Sequence, residues 1–305
     1  MSKRQGARGE GRGASGEGRS PVPPDPQIRL LSQLHNSPAP MRLGIFILSL
    51  LLLWLPIAAP IYWLVRDQNL VNILTLPLLY GEFMLLVRLW GKYVYHQPFL
   101  LRSYGLTKSR QNGIELLLGL GSGIITVLCL YLVEGWLGWL LWQQPNIFLP
   151  RLIIEGLIVS LAYGLAEELL FRGWLLDELQ RDYRCRVAQG ADALVYAMLH
   201  FIKPLPEIIR TLPQFPALVL LGLTLVYAKR IGGDRLGLPI GLHAGLVWGY
   251  YIINVGQVIQ YSGRVPSWIT GVDRNPLAGV MGLLFLSAIA FAMSRAARTK
   301  LIART

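Results

Sequence analysis

Glu167, Glu168 and Arg172 stand inside one long apolar stretch of the sequence, and His200 and His243 stand inside two others. Ionisable groups in such surroundings are costly and by default functional. Glu168 and Arg172 are four apart, so on a helix they share a face and can pair. Glu167 is turned away by one residue and has no such partner. The spacing therefore predicts one carboxylate held in a structural ion pair and one free to exchange a proton. A carboxylate beside an imidazole can activate water. Two carboxylates and two imidazoles can also bind zinc, but the HExxH spacing of a helical zinc site is absent. Each histidine taken alone reads equally well as bonding a neighbouring group. The other two, His35 and His96, fall in a tail and a loop.

The elements that must position these groups are apolar blocks. The 305-residue chain is 53% hydrophobic and 15% charged, with a mean hydropathy of +0.45. Soluble domains carry about 25% charged residues. The blocks run over 43–65, 69–91, 114–133, 152–176, 193–202, 215–228, 238–255 and 276–293, the third extending toward residue 141. Several approach the roughly 20 residues that a helix needs to cross a bilayer. The expected fold is all-α, a polytopic membrane bundle of about eight transmembrane helices. The short fifth and sixth blocks are expected to be tilted, buried or longer than hydropathy shows. Pro56, Pro60 and Pro77 are tolerable within such helices.

Residues 1–40, rich in Gly, Arg, Ser and Pro, read as a disordered basic cytoplasmic tail. Residues 41–145 then form the first three helices, 146–297 a core of five, and 298–305 a basic tail. Gly119, Gly121 and Gly123 suit close helix packing, and Trp136, Trp139 and Trp142 suit an interfacial belt. Glu82, inside the second block, can pair with a polar group on a neighbouring helix. Cys129 lies in an apolar block and Cys185 in a charged loop, so no disulfide joins them.

The net charge of +12 raises the question of nucleic acid, but the basic residues punctuate the apolar blocks. That placement fits membrane orientation and anionic lipid better, and no nucleic-acid partner is expected. With the amino terminus inside, the inner segments take 22 of the 29 Lys and Arg. The outer segments take six: Arg66, Arg151, Lys203, Arg210, Arg264 and Arg274. This asymmetry places both termini in the cytoplasm. Counted from the block starts, His200 and His243 fall about 8–10 Å below the cytoplasmic surface, level with Glu167. A site at that depth is expected to open toward the cytoplasmic side.

Glu167-Glu168-x-x-x-Arg172, then Tyr196 four before His200, then Gly241-Leu242-His243-Ala244-Gly245 occur in that order, each in an apolar block. The set resembles the CAAX prenyl protease type II and bacteriocin-processing (CPBP, or Abi) family, intramembrane endopeptidases with an eight-helix core. The resemblance covers mainly residues 150–255. It implies peptide-bond hydrolysis by a water that Glu167 and His200 activate, with His243 stabilising the oxyanion and Glu168 and Arg172 in support. It also implies the lipid bilayer and membrane-associated or prenylated peptide or protein substrates as partners. No cofactor is favoured; a metal-dependent version would bind zinc through Glu167, His200 and His243. One position departs: Val247 stands where the family has Asn or Asp. Asn254 is no substitute, because about 16 Å of helix separates it from His243. Two other readings of the chain remain: a non-catalytic membrane scaffold or regulator with the same fold, and a proton-coupled transporter. Against the transporter, no internal repeat is evident.

Overall fold

The computed structural model describes residues 33–145 and 148–302. Eight helices make the bundle. They are α1 (Ala39–Leu64), α2 (Gln68–Tyr93), α3 (Arg110–Trp136), α4 (Leu149–Glu168), α5 (Cys185–Leu199), α6 (Phe215–Ile231), α7 (Gly237–Val255) and α8 (Val280–Ile302). After Glu168, α4 continues without a break through a π-helical stretch, Leu169–Leu175, to Asp182. Among the described residues, seven helices are long and apolar enough to cross a membrane; α5, with 15 residues, is the shorter eighth helix of the bundle. The chain is thus an integral multi-pass membrane protein built as a helical bundle.

Local chemistry starts the helices where the apolar runs begin. The Asp67 carboxylate accepts from the Leu70 amide at 2.8 Å to cap α2, and the Ser109 hydroxyl accepts from the Asn112 amide at 3.2 Å to cap α3. Pro56 and Pro60 stay inside α1, and Pro77 inside α2. α3 ends at Trp136 rather than extending toward 141. Gly138, at φ +72°, turns the chain into a short strand, Leu140–Trp142, which pairs antiparallel with Ile259–Tyr261. Trp136 and Trp142 remain exposed beside this ribbon.

The closest helix pair is α3 with α7. A Cβ on Gly241 would come within 2.0 Å of the Leu116 carbonyl oxygen, and one on Gly123 within 2.5 Å of that of Leu242. Only hydrogen fits at such separations, so the glycines let the two backbones touch. Gly119 makes the same kind of approach, whereas Gly121 faces open space. Every residue of the stretch 237–245 of α7 is buried.

Contacts at the helix ends define the two ends of the bundle. At the near end, the Ala39 amide meets the Asp182 carboxylate, Arg235 pairs with Glu115, and Lys300 bonds the Ile231 carbonyl. Arg42 and the Tyr95 hydroxyl converge there on the buried Glu178 carboxylate, at 3.0 and 2.6 Å. Burial first, and Glu178 next, push the Tyr95 hydroxyl up, so it serves as a donor. The start of α1 and the end of α8 therefore share this end. The far end carries the β-ribbon and the short segments Leu205–Thr211, Ser267–Thr270 and Val272–Arg274, with Arg210 of the first paired to Asp273 of the last.

Three boundaries differ from the sequence reading. Most of the tail lies outside the described residues, but residues 33–40 fold onto the bundle, with Leu34 buried and the His35 ring 5.6 Å from that of Tyr95. α8 runs past residue 298 to Ile302. α5 starts at Cys185, ahead of its apolar block, because its buried polar face (Gln189, Asp192) finds partners inside the bundle.

Candidate active site

On α4, successive residues are about 100° apart. Glu168 consequently points into the bundle, where it is fully buried, while Glu167 is only partly buried. Glu168 Oε1 accepts from Arg172 at 3.0 Å, as the four-residue spacing predicts. The guanidinium also donates to the Gly222 carbonyl at 3.1 Å and pairs with Asp192 at 3.6 Å. It lies 4.4 Å from the centre of the Tyr196 ring. Lys229 Nζ donates to the Arg172 carbonyl at 2.6 Å. Arg172 thereby holds α4, α5 and α6 together. The π-helical stretch carries its side chain, a local widening common at functional sites.

His243 joins α7 to this cluster. Its Nδ1 lies 2.9 Å from Glu168 Oε1, and its Nε2 lies 3.8 Å from Glu167 Oε2. His200 sits at the C-terminal end of α5, with Nδ1 2.8 Å from the Tyr196 carbonyl oxygen. Both acceptors are oxygens, so in each ring Nδ1 carries the proton and Nε2 is left for other chemistry. Such anchoring fixes ring orientation and tautomer in hydrolytic and metal sites alike.

Glu167, His200 and His243 line a single cavity of about 350 Å³. Its remaining walls are mostly apolar, including Val127, Leu218, Leu246 and Phe285, with Gln214 and Asn275 adding amides. Val247 also lines it, one helical turn from His243. Asn254 is not among its walls. Among the described residues, Glu82 has no ion-pair partner, and its Oε2 is buried without a hydrogen-bond partner. Among the described residues, no three His, Cys, Asp or Glu are gathered to hold a metal ion. A zinc ion on Glu167, His200 and His243 would require the three to close on one point.

The sequence reading missed Asp192 and Lys229. Lys229 counted only as an inner-segment charge and Asp192 drew no reading, yet both are buried around Arg172. Asp192, Tyr196 and His200 recur every four residues, a helical face that begins before the apolar block and could have revealed Asp192.

The depth argument also changes. Because α5 begins at Cys185, His200 lies about 22 Å along it rather than about 10 Å. Glu167 lies about as far before Asp182 on the antiparallel partner, which brings the two level. Beyond them the cavity runs toward Gln214, Asn275 and Pro276, at the far end. Arg172, Leu225 and Leu242, which lie toward the near end, are fully buried and are not among its walls. The start of α1 and the end of α8 thus lie at the opposite end of the bundle from this far part of the cavity.

Fold and site together define a polytopic helical membrane protein with a carboxylate and two anchored imidazoles in an apolar cavity. Residues 149–249, about a third of the chain and including all five candidate residues, match the family model described as type II CAAX prenyl endopeptidase Rce1-like. The motif resemblance is thus shown over this segment, and the family is one of proteases. Searches of curated proteins and of solved structures find no match to the chain.

Proposed function

We propose that the chain is an intramembrane endopeptidase in which Glu167 and His200 activate a water for attack on a peptide carbonyl. The observation that carries this reading is the division of the two adjacent carboxylates. Glu168 is engaged by Arg172 and His243, whereas Glu167 borders the cavity that His200 and His243 also line. Glu167 takes a proton from the water, hydroxide adds to the scissile carbonyl, and the same proton passes to the leaving amine. His243 in its doubly protonated form donates from Nε2 to the oxyanion, a role worth several kcal/mol in hydrolytic sites. Glu168 and Arg172 are positioning residues that hold the His243 ring and the α4 backbone.

The apolar cavity walls suit membrane-associated segments, and prenylated peptides fall within that class. The metal-free mechanism rests on the missing HExxH spacing and on the divergence of Glu167 and Glu168 around their helix. Chelator-treated protein is expected to retain its turnover, and a stoichiometric zinc required for turnover would replace this mechanism with a metal-assisted one.

Val247 favours a second reading, a scaffold that keeps the fold without cleavage, because an apolar side chain occupies the place of the expected second oxyanion donor. Cleavage of membrane-tethered reporter peptides by purified protein in nanodiscs separates the two. The protease reading predicts cleavage by the wild type and its loss, by about 10²–10⁴-fold, in Glu167→Gln and His200→Ala. Wild-type rates in both variants would contradict it, and no cleavage by any form would favour the scaffold.

A further inference from the structure

The two ends of the bundle differ in charge as well as in shape. Among the described residues, the near end and its connecting segments hold 15 Lys and Arg. The far end has six, and two of these are spent locally: Arg151 on Glu155, and Arg210 on Glu207 and Asp273. Basic residues are retained on the cytoplasmic side of a membrane. The far end also carries the exposed Trp63, Trp136, Trp142 and Trp268, rings that settle at a lipid–water interface. The charge distribution therefore makes the far end the non-cytoplasmic one.

The cavity belongs to that end. Its polar rim, Gln214 and Asn275, comes from the far-end segments, and Gly282 and Phe285 come from the first turns of α8. Tyr163, half exposed on the outer surface of α4, also borders it and gives a side facing lipid. On the opposite side the fully buried Glu168, Arg172 and Asp192 leave no passage.

We propose that the cavity is reached from the non-cytoplasmic face and the adjoining leaflet, and that its substrate is an apolar stretch of an exported or membrane-anchored polypeptide cut on that side. The route of access stands on charge and shape alone, while the substrate class rests on the proteolytic reading above. A prenylated tail in the cytoplasm would meet the closed end of the bundle.

Two measurements test this and can fail independently. Cys185 is exposed at the near end and serves as its marker in a Cys129→Ser chain. Gln214→Cys, with Cys129 and Cys185 both changed to Ser, marks the cavity rim. With a membrane-impermeant maleimide, Gln214→Cys is expected to label in intact cells, and Cys185 only in inside-out vesicles. The reverse pattern, or labelling of Gln214→Cys from the Cys185 side, would overturn the route. In the second measurement, one apolar target segment is carried by a single-span anchor on either side of the membrane. Wild-type protein is expected to cut only the non-cytoplasmic version. Cutting of the cytoplasmic version alone overturns the substrate class. Cutting of neither, with the labelling as expected, overturns the proteolytic reading and leaves the route standing.

Discussion

Two regions meet at α4, and they are built on opposite principles. Toward the near end, Glu168, Arg172, Asp192 and Lys229 are buried and bound to one another and to backbone carbonyls. Toward the far end, Glu167 faces a cavity whose walls are largely leucine, valine and tyrosine. The chain places the same residue type at consecutive positions and gives each a different environment through a rotation of about 100°. The contrast teaches that burying charge and exposing charge are complementary tasks here. The packed side holds the helices in register, and the open side is left a carboxylate free to react. His243 bridges them, with one ring nitrogen on each side.

Breaking the packed side gives the largest expected effect. Arg172→Ala leaves Glu168 and Asp192 buried without their cation, which should cost about 3–5 kcal/mol. The measurement is thermal unfolding in detergent, and a midpoint equal to that of wild type would contradict the network's structural role. A smaller loss is expected between α3 and α7. Gly241→Ala forces a methyl against the Leu116 carbonyl and should cost about 1–3 kcal/mol by the same assay. Gly121→Ala, with nothing near its Cβ, should leave the midpoint unchanged or slightly raised. The smallest effect sharpens the open side. Val247→Asn places an amide on the cavity wall one turn from His243, and should raise the cleavage rate about tenfold, the worth of a hydrogen bond to a charged group. An unchanged rate would mean that the oxyanion forms elsewhere in the cavity.

Much of this contrast was legible from residue types alone. Charges within apolar blocks marked α4 and α7, and the four-residue spacing of Glu168 and Arg172 predicted their pairing and left Glu167 apart. The rest was hidden for physical reasons. Hydropathy measures transfer into lipid, so it located the apolar half of α5 and missed the half stabilised by Asp192 meeting Arg172. Lys229, at the end of its block, read as a loop charge because its partner is a carbonyl on another helix. The misplaced start of α5 in turn put His200 at the wrong depth along its helix. Gly121 shows a related limit: three glycines share a motif, but only the two facing α7 are used in packing.

The central claim is that the adjacent carboxylates have separate tasks, and comparing their isosteric amides tests it most directly. Reporter cleavage is measured per folded molecule for Glu167→Gln and Glu168→Gln in nanodiscs, with the thermal midpoint of each read on the same samples. The account predicts that Glu167→Gln keeps the wild-type midpoint and loses cleavage, while Glu168→Gln loses stability and the molecules that stay folded still cleave. Wild-type cleavage by Glu167→Gln would contradict it.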